Sequence, residues 1–124
     1  MPDLLVSFAV IPSKTINATA SYTTPALNMR WIKEASLLVR ATSGTGNPDV
    51  KIEYAVSKDG TNFGSFNDYT DLVASSAAFA TPQGITAVAL PNMLAPFIEL
   101  KATGIGGNPA DTVLDVTLVG REKL

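Results

Sequence analysis

Apolar and polar residues alternate with a period of two along most of the chain, and helical periodicity is scarce. The clearest run is 50–57, with Val50, Ile52, Tyr54 and Val56 on one face and Lys51, Glu53, Ala55 and Ser57 on the other. That pattern predicts a half-buried antiparallel strand. Residues 35–42 place Leu37, Val39 and Ala41 together. Residues 97–103 do the same with Ile98, Leu100 and Ala102, and residues 112–119 with Leu114, Val116 and Leu118. Weaker strands are predicted at 4–11, 15–22, 29–32 and 85–90. Residues 70–80 fit a short helix capped by Thr70 or Asp71, a loop or a weak edge strand. About eight short strands with Gly and Pro between them predict an all-β, antiparallel sandwich or barrel.

The strand pairs repeat. Ala41-Thr42 and Gly46-Asn47-Pro48 recur as Ala102-Thr103 and Gly107-Asn108-Pro109, 61 positions later. The extra Ala110 then moves the spacing to 62, matching Asp49 with Asp111 and Ile52 with Leu114. Each copy, 35–57 and 96–119, reads strand, Gly-rich loop, strand, and predicts two equivalent hairpin-like corners. Common turn chemistry, with Gly and Asn-Pro favoured in loops, would give the same likeness. Residues 1–12 form an N-terminal strand or arm, and the whole of 1–124 is expected to fold as one domain.

Composition narrows the function. Charged residues are 16% and the net charge is −2, so binding nucleic acid through basic patches is not expected. With no Cys and no His, a thiolate nucleophile, a zinc–thiolate centre and a Ser-His-Asp triad are all excluded. No apolar run is long enough to span a bilayer. The N-terminus carries Asp3 and lacks a basic start, so it reads as a strand and not as a signal peptide.

The candidate chemistry left is thin. Asp59, Asp68 and Asp71 offer loop oxygens of the kind calcium takes, but their spacing matches no EF-hand loop, and turn formation is the favoured reading. A paired-carboxylate hydrolase remains open in principle, yet no motif accompanies it, and the chain is expected not to be an enzyme. The Gly-rich loops match no phosphate-binding pattern, and no cofactor motif occurs. Trp31, flanked by Arg30 and Lys33, fits a core filler or, less readily, an interface anchor. The run containing Leu4, Leu5, Val6, Phe8, Val10 and Ile11 is apolar on both faces, which predicts cover on both sides or cover by a neighbouring subunit. Leu4, Leu5, Phe8 and Trp31 are therefore the candidate interface residues.

Tyr54-Ala55-Val56-Ser57 runs into Lys58-Asp59-Gly60-Thr61-Asn62-Phe63. Later come Leu94-Ala95-Pro96-Phe97-Ile98-Glu99-Leu100-Lys101-Ala102-Thr103-Gly104 and Gly107-Asn108-Pro109-Ala110-Asp111-Thr112. Over roughly residues 35–120 this resembles the small β-sandwich virion proteins of tailed bacteriophages. The resemblance implies a jelly-roll-like sandwich assembled in many copies, with no catalytic, cofactor or metal site to transfer. It points first to a capsid decoration (cement) protein that bridges capsomers, made in the host cytoplasm and located in the virion. Its expected partners are the major capsid protein or other virion proteins and further copies of itself, not nucleic acid or membrane. Tail or head–tail connector rings are the alternative. A third reading is a carbohydrate-binding module, since the S-x-D-G-x-x-F turn is shared with jelly-roll carbohydrate-binding and discoidin-like domains. It would need an aromatic platform drawn from Tyr22, Trp31, Tyr54 and Tyr69.

Overall fold

The computed structural model describes residues 5–64, 72–81, 83–90 and 95–122. Its eight strands are β1 (Leu5–Thr15), β2 (Ser21–Thr23), β3 (Leu27–Asn28), β4 (Ile32–Thr42), β5 (Val50–Ser57), β6 (Thr86–Ala89), β7 (Phe97–Gly104) and β8 (Val113–Glu122). One sheet has the order β1-β8-β4-β6. In the other, β7 pairs with β5 on one side and with β2 and β3 on the other. All pairs are antiparallel, and five of them nest along the chain: β1 with β8, β2 and β3 with β7, β4 with β6, and β5 with a bridge at Val73, while β4–β8 and β5–β7 pairs complete the two sheets. A ribbon of nested pairs wrapped into two sheets is a jelly roll. The all-β antiparallel sandwich expected from the alternation is the observed fold.

The inward positions are those the alternation marked. Leu37, Val39, Leu114, Val116 and Leu118 of the first sheet meet Val50, Ile52, Ile98, Leu100 and Ala102 of the second, all fully buried. Each large side chain so buried contributes about 1.5–3 kcal/mol.

Other expectations are corrected. Strand 15–22 does not form: β1 ends at Thr15, and residues 16–20 cross between the sheets before β2 begins at Ser21. Residues 29–32 form a turn, with Ile32 N–H donating to the Met29 carbonyl. Within 70–80, the described residues 72–80 carry the bridge at Val73 and a short 3-10 turn at Ser76–Ala78. β5 is not half-buried, for Glu53, Ala55 and Ser57 on its outer face are buried too. The chain after β5 folds back over this face: Gly64 N–H donates to the Val56 carbonyl. A Cβ on Gly60 (φ +80°) would lie 3.3 Å from the Phe97 ring.

The two Gly-Asn-Pro segments are not hairpin turns. Each joins strands of different sheets, β4 to β5 and β7 to β8, and the two dock on each other. Asp111 of the second accepts hydrogen bonds from Ser43 Oγ (2.6 Å), Thr45 Oγ1 (2.7 Å) and Gly44 N–H (2.9 Å) of the first. Ile105 N–H donates to the Asp49 carbonyl in return. Asn108 is buried behind this contact. Its Nδ2 donates to the carbonyls of Ile16 and Ala18, while its Oδ1 accepts from Asp49 N–H and Thr112 Oγ1. The matching Asn47 is exposed.

Candidate interaction surface

The two sheets present different outer faces, because the outward positions of their strands carry different residues. On the second sheet, β5 and β7 place Lys51, Glu53, Glu99 and Lys101 outward. Lys51 Nζ lies 3.7 Å from Glu53 Oε2, and partial burial pushes the Glu99 carboxyl above the ordinary range. Part of this face is already covered by the chain after β5: Glu53 is buried, and Lys51, Glu99 and Lys101 are half-buried.

The first sheet is different. Its register aligns Ser7, Val119, Ser36 and Ala89 in one outward row, and Ala9, Thr117, Leu38 and Ala87 in the next. None of these eight residues is charged, and each is half-buried or exposed. At ~4.8 Å per strand and ~3.4 Å per residue, the two rows cover about 260 Å² of flat sheet. Charges rim the patch at both strand ends. Arg40 lies opposite Asp115 at one end. At the other, Lys33 lies opposite Arg121, whose Nε is 2.9 Å from Glu34 Oε2. An uncharged centre within a polar rim is the usual anatomy of a protein–protein interface.

Of the four residues expected at an interface, Leu5 and Trp31 flank this patch. Leu5 sits on the outer face opposite Arg121 and is 69% exposed. Trp31 directly precedes β4 at the same strand end and is 66% exposed, so the core-filler reading is wrong. The turn bond from Ile32 to Met29 places the ring outside the sandwich while Met29 is buried instead. Phe8 lies opposite Leu118 and faces inward, yet it remains 37% exposed at the sheet margin. Leu4 lies outside the described residues. Among the described residues, nothing covers both sides of the N-terminal run: residues 5–9 are largely exposed, and burial starts at Val10 and Ile11. The eight patch residues were not singled out from the sequence. Their signal was the missing charge at outward positions of 35–42 and 112–119.

The loop chemistry resolves into turn structure where it can be seen. The Asp59 carboxylate accepts from the N–H groups of Thr61 and Asn62, from Asn62 Nδ2 and from Ser57 Oγ. These donors, led by Asn62, hold its pKa far below the ordinary carboxylate range. Asp68, Tyr69 and Asp71 lie outside the described residues. Among the described residues, no group of three or more acidic side chains is placed to hold a metal ion. A pocket of about 60 Å³ between Ala41, Pro48 and Phe79 is far smaller than a small-molecule site. Tyr22 and Tyr54 pack against the core, with Lys14 Nζ 5.2 Å from the Tyr22 ring centre. Among the described residues, Tyr22 and Tyr54 lie against the core while Trp31 is exposed just before β4, and Tyr69, the fourth candidate for an aromatic platform, lies outside them.

Comparison with solved structures finds the same fold in the SPBc2 prophage-derived protein YomS, with a TM-score of 0.53 and 10% identity, over 97% of this chain and 96% of that one. No family profile matches the chain. No curated protein matches it.

Proposed function

We propose that the chain is a non-catalytic structural component of a phage particle, and specifically a decoration protein that docks on the capsid. The observation that carries this reading is the uncharged outer face of β1-β8-β4-β6, set against the charged face of the opposite sheet. Desolvating Ser, Ala, Thr, Val and Leu costs little, whereas the outer face of the other sheet carries Lys51, Glu53, Glu99 and Lys101 and is already covered in part by the chain after β5. The first face is therefore the one that turns toward a partner. The phage setting draws its support from the resemblance over residues 35–120 and from the fold shared with a prophage-derived protein.

The patch is small beside the ~800 Å² that each partner buries in a standard stable interface. Docking through it alone is weak, and a surface that repeats in register, such as a capsid lattice, compensates by engaging many copies. Exposed Leu5 and Trp31 at one strand end extend the contact toward a neighbouring capsomer.

The test is co-sedimentation of the purified chain with undecorated capsids of the same phage. Saturable binding at a fixed number of copies per capsomer is the expected result. No association with capsids, together with a closed ring in native mass spectrometry, would replace this reading by the tail or connector alternative.

A further inference from the structure

The edges of the two sheets are protected unequally. The free side of β5 is occupied, since Ile52 exchanges backbone hydrogen bonds with Val73. β6 has four residues, and β2 and β3 have three and two. β1 is an edge of eleven residues, but its second half is blunted by register shifts at Ala9/Ile11 and Ile11/Lys14, by Pro12 and by the left-handed backbone of Ser13 (φ 46°). Bulges and proline are devices that stop a strand edge from pairing. Leu5, Val6, Ser7, Phe8 and Ala9 have none of them. They pair in unbroken register with β8 on one side, and among the described residues no strand pairs with the other. They also carry no charge, and Leu5 and Phe8 leave apolar surface exposed there.

We propose that this edge pairs with the same edge of a second copy, forming an antiparallel dimer with one continuous eight-stranded sheet. A two-fold axis perpendicular to the sheet must pass midway between the two copies of one residue, because outer face has to meet outer face. Centred on Ser7, it sets Leu5 opposite Ala9 of the other copy, Val6 opposite Phe8, and Ser7 opposite Ser7. Every pair is then matched in face, no like charges meet, and the Phe8 ring gains Val6 as its neighbour. A net charge of −2 per chain opposes the approach only weakly. The seam is about 17 Å long at ~3.4 Å per residue, a small contact that gives a weak dimer. The inference stands on the edge geometry and holds whether or not the partner of the outer face is a capsid.

The chain has no cysteine, so a single introduced thiol reports the pairing directly. Ser7 side chains opposite each other across an antiparallel pair would have Cβ atoms about 4.5–5.5 Å apart, close to disulfide reach. The intact protein is followed by sedimentation velocity from 10 to 500 µM, and Ser7→Cys and Ala87→Cys variants are oxidised with glutathione disulfide. The expected result is a monomer–dimer equilibrium within that range. Ser7→Cys should cross-link at least tenfold faster than Ala87→Cys on the opposite edge, and Ser7→Lys, which sets two like charges face to face, should stay monomeric. A wild-type protein that is monomeric throughout, or cross-linking no faster at position 7 than at 87, overturns the proposal.

Discussion

Replacing Asn108 by alanine removes four hydrogen bonds at once. The Ile16 and Ala18 carbonyls lose their donor, and Asp49 N–H and Thr112 Oγ1 lose their acceptor. Thr112 keeps the Pro109 carbonyl as acceptor, and exposed Ala18 can turn to water. The groups around Ile16 and Asp49 remain stranded, beside the cavity left by the amide. At 1–3 kcal/mol for each buried group left without a partner, the loss is about 3 kcal/mol, or roughly 10 °C in Tm for a domain of this size. The matched substitution Asn47→Ala has the same loop motif around it but an exposed side chain, and should stay within about 0.5 kcal/mol. Urea unfolding followed by far-UV circular dichroism is the assay, because Trp31 is too exposed to report strongly on core loss. Equal stability losses for the two variants, or a loss below 1 kcal/mol for Asn108→Ala, would refute the claim that Asn108 ties the crossing segment 16–20 to the corner.

Three further outcomes follow from the same geometry. Gly104→Ala should prevent stable folding or cost more than about 3 kcal/mol, since its Cβ would collide with the Ala18 carbonyl oxygen, while Gly107→Ala meets nothing within 4 Å; solubility and Tm compare them. Ser43 and Thr45 hold the Asp111 carboxyl below its ordinary pKa, so the folded state binds that proton less readily than the unfolded chain. Its contribution is full at neutral pH and is lost as pH falls through the unfolded value toward the folded one, so a pH series of Tm on Asp111→Asn should show a shallower acid limb than wild type. Burial raises the Glu99 carboxyl, the opposite sign, so its charged form disfavours folding at neutral pH, and Glu99→Gln should raise Tm at pH 7.

What the alternation reveals is which residues are inside. Val50–Ser57 is recovered to the residue, and the inward faces of β7, β8 and, past the register shift at Lys33/Ala35, β4 follow the period of two. What it hides depends on partners far along the chain. Residues 15–22 alternate as well as a strand does, but the Ile16 and Ala18 carbonyls are taken by the Asn108 side chain instead of a neighbouring strand. The Gly-Asn-Pro motif looks alike in both copies, yet only Asn108 meets the crossing segment and is buried. Trp31 carries the composition of a core residue, and a local turn puts Met29 in its place. The proposed docking face is a pattern of absence, uncharged residues at outward positions of four strands, and it becomes a patch only when the register aligns them in rows.

The central claim is that the outer face of β1-β8-β4-β6 docks and the opposite face does not. It is tested most directly by capsid co-sedimentation of Leu38→Glu and Val119→Glu beside Thr23→Glu, an exposed position on the other face. An unpaired charge buried in the contact costs about 2 kcal/mol or more, so the first two variants should bind at least thirtyfold more weakly while remaining folded, and Thr23→Glu should bind as wild type does. Undiminished binding by both face variants, or its loss in Thr23→Glu, would contradict the account.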